Sequence, residues 1–462
     1  MTLVLWTGVL AVVLVVYHRL PMRAQTYWLL LVSYAFYAWW AWPFLPVLVL
    51  LTLSTYVMAR RIAATQPSSE VNQVQRRRWL SAGVALNLGA LAALRYGYRS
   101  APFEAPFAVL GISFYSLQAL AYLFDTYSGI LRTPHTLADF AVYLAYFPKL
   151  IAGPIERPHI FLDQLRHARI VDDDRLARAA TLIAVGLTRK LVLADPLAAL
   201  LPAAAFTAPA SLDACTLAMA TVGYAFVLYN DFAGYTSIAR GVSCLFGIEL
   251  SRNFAQPFFA HNFTDLWNRW HISLSHWLRD YVYLPLSRRL LRRNLSRTNL
   301  GNLFLPPVVT MLAAGLWHGA STHMLVWGGL HGIYLVVQRV GILLRPPMPG
   351  VVQPAWSRAC GVVLVFTLSC LAFIALRLPI ALAAEFWERL FTGPAGALPE
   401  GRVLLYMLPS LWLDWMQARQ GEDTVFMSWP LLARGTLLAT AALLWLAMSS
   451  AVAPTPFVYQ GF

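Results

Sequence analysis

The chain has 462 residues, 59% hydrophobic and 12% charged, against about 25% charged in ordinary soluble domains. That much apolar surface exceeds what soluble cores bury at this length; with a mean hydropathy of +0.58 it excludes an ordinary soluble enzyme and points to a polytopic membrane protein. The net charge of +14 comes almost wholly from arginine, Lys149 and Lys190 being the only lysines; the arginines fall in short segments between apolar stretches, so they predict cytoplasmic loops rather than a nucleic-acid partner.

The first apolar run, beginning MTLVLW, lacks a basic n-region and is followed by no A-x-A site, so it is expected to be a retained span. Apolar stretches then run at about 3–18, 27–42, 44–58, 79–95, 106–123, 138–153, 177–203, 214–239, 302–320, 323–344, 356–378, 403–416 and 432–452. Roughly twenty residues cross a bilayer, and several stretches are shorter or broken by Pro and Gly. The expectation is an all-α membrane protein with about ten to twelve crossings, the rest re-entrant or interfacial. No internal repeat and no linker divides the chain, so residues 1–462 are expected to form one integral-membrane domain, with the strongest motifs at 111–345. Cys215, Cys244, Cys360 and Cys370 are scattered and indicate neither a metal site nor a disulfide framework.

Arginine placement predicts orientation. The first connection holds His18, Arg19 and Arg23, and the segment 59–78 holds Arg60, Arg61, Arg76, Arg77 and Arg78 against Glu70 alone. Both are expected in the cytoplasm, which leaves the N-terminus extracytoplasmic. A second basic stretch carries Arg288, Arg289, Arg292, Arg293 and Arg297. It is either a topogenic patch near anionic lipid or a contact for a phosphate-bearing cosubstrate.

Titratable groups inside spans are costly and are functional candidates. Asp231 lies deep in YAFVLYNDFAGYTSIAR, placed either to orient a histidine or to pair with an arginine. In TDLWNRWHISLSHWLRDYVYLP, at 100° per residue, Asn268, His271, Ser275 and Arg279 share one face opposite Trp267, Trp270, Leu274, Trp277 and Tyr281. That amphipathic helix lies flat at the interface or lines a polar cavity. His318 is the sole titratable side chain from Asn302 through Thr322, followed by the small residues Gly319 and Ala320; it is either a general base or a hydrogen-bonded core histidine. His323 and His331 follow in the next span as weaker candidates.

Together these segments resemble the membrane-bound O-acyltransferase (MBOAT) superfamily, and within it the bacterial polysaccharide O-acetyltransferases typified by the membrane subunit of alginate acetylation. The resemblance is carried by TYWLLLVSYAFYAWW (26–40), GISFYSLQALAYLFDTY (111–127), YFPKLIAGPIERP (146–158), YNDFAGYTSIARG (229–241), RNFAQPFFAHNFTDLWNRWHISLSHWLRDYVYLPL (252–286), GLWHGASTHMLVWGGLHG (315–332) and TPFVYQGF (455–462). It implies a ring of tilted helices around a central tunnel, with His318 as the catalytic histidine, His271 as a second catalytic histidine, and His271 and Asn268 lining the tunnel. It further implies acetyl-CoA as a cytoplasmic cosubstrate with no bound cofactor or metal, a glycan acceptor, an SGNH-type extracytoplasmic partner, and a bacterial inner-membrane location. The chain departs from the family pattern at Thr236-Ser237, at Leu266 and at Leu286-Ser287-Arg288. The last alters the cytoplasmic segment expected near the donor entrance. D-alanyl transfer to teichoic acids from a carrier-protein thioester, acylation of a lipid or protein, and transport without chemistry are the rival functions.

Overall fold

The computed structural model describes residues 2–96, 111–131, 135–296, 298–346, 354–397 and 401–451. The described residues contain helices and no strand. The expected tail motif at 455–462, Arg297 and the start of the 106–123 stretch lie outside them.

Backbone contacts group the chain into two compact units, Met1–Ile183 with Ile238–Ser251, and Ala184–Ser237 with Arg252–Phe462. The first contains α1 (Thr2–Arg19), α2 (Met22–Ala41), α3 (Leu45–Ala64), α4 (Glu70–Tyr96), α5 (Ile112–Ser128), α6 (Leu137–Ala145), α7 (Phe147–Leu150), α8 (Pro158–Gln164) and most of α9 (Asp173–Leu187). The basic segment 59–78 is therefore mostly helical, with Arg60 and Arg61 ending α3 and Arg76 to Arg78 in α4. The apolar stretch 138–153 is not one span. Tyr146 breaks it into α6 and α7, because Pro148, the second residue of α7, lacks the N–H that would continue the first helix.

The core of this unit is aromatic: Tyr17, Phe140, Tyr143, Tyr146, Phe161 and Phe246 are fully buried. Their hydroxyls are satisfied locally. Tyr17 donates to the Phe246 carbonyl at 2.8 Å, and Tyr143 to that of Glu156 at 2.8 Å. Lys149 is also fully buried. Its ammonium donates to Gln118 Oε1 and to the Tyr143 carbonyl and lies 5.0 Å from the Tyr143 ring centre. Glu156 accepts from the Ser251 backbone and hydroxyl at 2.6 and 2.9 Å. A buried charge persists only with such partners.

The second unit contains a π-helical turn (Thr188–Ala194), α10 (Asp195–Leu200), most of α11 (Ala214–Cys244), α12 (Phe263–Arg269), α13 (Ile272–Leu278), a second π-helical turn (Arg279–Tyr283) and α14 (Leu284–Arg293). It continues through α15 (Leu300–His318), α16 (Thr322–Leu344), α17 (Ala355–Arg377), α18 (Ile380–Thr392), α19 (Leu404–Gln420) and α20 (Leu431–Ala451). Four stretches among the described residues are long and apolar enough to cross a membrane: Met22–Ala64, Leu300–His318, Thr322–Leu344 and Ala355–Arg377.

The α15–α16 hairpin is the frame of this unit. A Cβ on Gly315 would meet the Met324 carbonyl oxygen at 2.3 Å, and one on Gly328 would meet that of Met311 at 2.4 Å. Only glycine lets the two backbones come this close, which is how apolar helices associate where no hydrophobic drive separates lipid from protein. Pro306 and Pro307 sit inside α15. Pro307 has no N–H for the carbonyl four residues earlier, and Arg339 of α16 supplies the missing donor, its Nη1 lying 3.0 Å from the Leu303 oxygen.

Candidate functional site

All six expected site residues lie in the second unit. The structure brings them together in three places rather than one.

His318 closes α15. The Gly319 N–H bonds back to the Gly315 carbonyl at 3.0 Å, and the chain then turns extended toward α16. The imidazole is buried, 4% exposed, with the Trp317 ring centre at 4.8 Å and that of Trp327 at 5.0 Å. Gly319 is not the point of closest approach. A Cβ there meets the flexible Met324 side chain at 3.3 Å, whereas Gly315 meets backbone.

His271 is where the expected amphipathic helix fails. The 100° periodicity runs through 264–285, but α12 ends at Arg269, Trp270 is extended, and His271 is left-handed with φ 41° and ψ 54°. A non-glycine residue there is strained unless its neighbours hold it. They do so on both sides. Ala255 N–H donates to the Arg269 carbonyl at 2.9 Å, and Ile272 N–H donates to that of Asn253 at 2.9 Å. The Asn253 side-chain oxygen accepts from Ser273 N–H at 3.3 Å. The break turns the buried His271 ring toward Phe232 of α11, 4.8 Å between centres, and Trp317, 5.9 Å. His271 and His318 thus flank the same indole.

Asn268, Ser275 and Arg279 meet elsewhere, in the wall of a mainly apolar cavity of about 250 Å³. Trp267, Thr310, Met311 and Arg339 share that wall; His271 does not. Ser275 donates to the Trp270 carbonyl at 2.9 Å. Arg279 pairs with the adjacent Asp280 at 2.8 Å. The expected single polar face is therefore divided by the turn at His271, and Trp267, assigned to the opposite face, joins Asn268 in the cavity.

Asp231 stands in a third place. Its Oδ1 lies 2.8 Å from Lys190 Nζ, which is also 2.8 Å from Asp195 Oδ1. The partner is a lysine of the first π-helical turn, neither an arginine nor a histidine. One residue earlier along the same turn, Arg189 bonds Asn230 at 2.9 Å and Asp414 of α19 at 2.5 Å. Tyr229 also donates to Asp414, at 2.9 Å. Sequence reasoning missed this buried network, although charges inside apolar stretches signalled it at Arg189, Lys190 and Asp414.

The basic stretch after the cavity is helical rather than a loop. In α14, Arg288, Arg289, Arg292 and Arg293 are exposed, while Leu284, Leu286, Leu290 and Leu291 are half-buried. Of the weaker histidines, His323 lies 3.2 Å from Ser321 Oγ at the start of α16. His331 is buried against Trp267 and Trp327, both at 5.1 Å.

Known proteins are similar over most of the chain. It is 35% identical to the probable alginate O-acetylase of Pseudomonas aeruginosa over 354 residues, 73% of this chain and 65% of that one. It is 32% identical to the peptidoglycan O-acetyltransferase of Helicobacter pylori over 349 residues, 68% of this chain and 64% of that one. Identity to the teichoic acid D-alanyltransferase of Streptococcus thermophilus is 29% over 283 residues, 57% of this chain and 67% of that one. The chain spans about 65% of the length of the two acetylating relatives. Residues 20–378, which include both histidines and the cavity wall, match the model of the membrane-bound O-acyltransferase family, and the chain belongs to that family of multi-pass membrane proteins.

Proposed function

We propose that the protein transfers an acetyl group from a cytoplasmic thioester, acetyl-CoA, toward a hydroxyl of an extracytoplasmic polysaccharide, with an SGNH-type partner receiving it on the outer side of a bacterial inner membrane. In this reading the N-terminus is extracytoplasmic. The observation that carries it is the burial of His318 at the end of a membrane-length helix with no other titratable side chain, beside a second buried histidine across Trp317.

In this reading His318 takes the proton of the acceptor hydroxyl as the oxygen attacks the thioester carbonyl. The adduct collapses by breaking the C–S bond, and the same proton passes to the departing thiolate, so charge and protons balance. His271, or Asn268 in the cavity wall, donates a hydrogen bond to the oxyanion that forms in between. The indole walls around His318 keep water from the thioester. Acetyl-CoA is consumed as a cosubstrate and CoA leaves as the thiol, and no resident cofactor takes part.

The test uses the full chain in proteoliposomes with labelled acetyl-CoA, the SGNH-type partner protein and alginate oligosaccharides. Thiol release and base-labile acetyl on the glycan are expected from the wild-type chain. His318→Ala is expected to lose them by about 10²–10⁴-fold, the usual contribution of a general base. Equal transfer by His318→Ala sinks the assignment. Turnover of a D-alanyl carrier thioester in place of acetyl-CoA moves the protein to the teichoic-acid branch.

A further inference from the structure

Among the described residues, two that are not glycine hold a positive φ, Gln256 at 48° and His271 at 41°. Such a backbone is strained and persists only where its surroundings hold it. The two residues belong to one clamp. Ala255 N–H bonds the Arg269 carbonyl and Ile272 N–H bonds that of Asn253, each at 2.9 Å. Ser273 N–H adds a bond to Asn253 Oδ1 at 3.3 Å. The turn at His271 is thus only as fixed as the segment 253–255, and Gln256 ends that segment.

The side chain of Gln256 reaches α19. It is 5% exposed, and its Nε2 donates to Gln417 Oε1 at 3.2 Å. The Gln417 amide has one orientation here. Its Nε2 donates to the Asp423 carbonyl at 2.9 Å, which leaves the oxygen to accept from Gln256 and, at 3.4 Å, from Arg189 Nη2. One turn earlier on α19, Asp414 accepts from Tyr229 Oη at 2.9 Å and pairs with the same guanidinium. The Tyr229 ring packs on Phe254, 5.6 Å between centres, and on Trp270, 6.3 Å. Phe254 lies inside the clamp and Trp270 precedes His271, so α19 braces the turn by a ring as well as by an amide.

Water is excluded from these contacts, so a lost partner leaves the buried Gln256 amide unsatisfied and frees a strained backbone at once. α19 lies beyond residues 20–378, the part of the chain that matches the family. We infer that Gln417 is a positioning residue for His271: through Gln256 it holds the segment 253–255, and so keeps the imidazole where the oxyanion forms. The role of His271 at the oxyanion rests on the acyl-transfer reading above, whereas the link from α19 to the turn does not.

The experiment introduces Gln417→Met, which keeps the length of the side chain and removes its amide, into wild type, Gln256→Gly and His271→Gly. Glycine takes the left-handed backbone without a partner. In wild type, kcat is expected to fall about tenfold with KM for acetyl-CoA unchanged, because an oxyanion contact acts only in the transition state. In the two glycine backgrounds the same substitution is expected to cost less than about twofold, since its target is gone. An equal loss in all three, as from a general structural role, overturns the inference, and so does no loss in wild type. Gln417→Asn, polar but too short to reach Gln256, repeats the comparison where the methionine variant does not fold. Hydrogen exchange needs no turnover and decides the case where wild type or His271→Gly transfers no acetyl group. Peptides containing the Ala255 and Ile272 amides are expected to exchange about tenfold faster in the Gln417 variant, with α15 unchanged. That result upholds the link even where wild type is inactive, which would sink only the acyl-transfer reading. Unchanged exchange at these amides, or acceleration spread equally over α15, overturns it.

Discussion

The ammonium of Lys190 stands 2.8 Å from Oδ1 of Asp231, joining the first π-helical turn to the middle of α11. Asp195, 2.8 Å away on the other side, shares the same ammonium. Asp231 is buried, so its charge depends on this contact. Removing one partner of a buried pair leaves an uncompensated charge and costs about 3–5 kcal/mol. Lys190→Ala is therefore expected to lower the yield of folded protein and its thermal midpoint in detergent more than Asp231→Asn does. The asparagine stays polar and leaves Lys190 its contact with Asp195. A midpoint equal to wild type in Lys190→Ala would show that the pair does not hold the unit together.

Asp231 also shows what the sequence made legible. A carboxylate inside an apolar run was visible as a group in need of a partner, but nothing local names a lysine 41 positions upstream. His318 was legible because α15 has no other titratable side chain. The turn at His271 was not. No Gly or Pro marks it, and the backbone that fixes it comes from Asn253 and Ala255, so the helical periodicity of the residues continues through it unbroken. The division of Asn268, Ser275 and Arg279 from His271 follows from that one residue.

The left-handed backbone at His271 separates conformation from chemistry. Asn is the side chain that best tolerates this region after Gly, while a β-branched residue is strained there. His271→Asn is expected to fold as well as wild type and to transfer acetyl groups at a reduced rate, since its amide can still donate a hydrogen bond to an oxyanion. His271→Val is expected to lose both folded protein and activity. The two variants separate on a thermal melt followed by a rate measurement. Identical melting of His271→Val and wild type would contradict the backbone strain.

Arg339 and Pro307 are expected to be coupled. The guanidinium fills the carbonyl of Leu303 that Pro307 leaves without an intrahelical donor, and it also donates to Tyr283 Oη at 2.7 Å. Pro307→Ala restores an N–H to that carbonyl. Arg339→Met alone should destabilise by about 1–3 kcal/mol, the cost of an orphaned buried acceptor. In the Pro307→Ala background it should cost about 1 kcal/mol less. Strict additivity in this double-mutant cycle would mean that Arg339 serves only Tyr283.

Orientation is open to a direct test. Ser69 is exposed between α3 and α4, next to the five arginines of 59–78. Basic segments of this kind remain in the cytoplasm. Ser69→Cys, in a background where the exposed Cys360 is replaced, is expected to react with a membrane-impermeant maleimide only after the cells are opened. Labelling of intact cells would place this segment outside and invert the predicted topology.

The arginines of α14 give the last prediction. Arg288, Arg289, Arg292 and Arg293 are exposed on a helix whose leucines are half-buried, and that helix begins directly after the π-helical turn whose Arg279 and Tyr283 line the cavity. A donor carrying a nucleotide phosphate and a diphosphate needs cationic groups where it enters, and guanidinium matches phosphate geometry. Replacing the four arginines by glutamine is expected to raise KM for acetyl-CoA more than it lowers kcat, because binding that is uniform between ground and transition states appears in KM. Acetyl-pantetheine, which lacks the nucleotide, should show a smaller change. The Ser69→Cys labelling pattern must be unchanged in the variant, since the same arginines can orient the chain. If topology holds and KM for acetyl-CoA does not move, α14 contacts the anionic lipid surface instead, and its effect should then follow the fraction of anionic lipid in the vesicle.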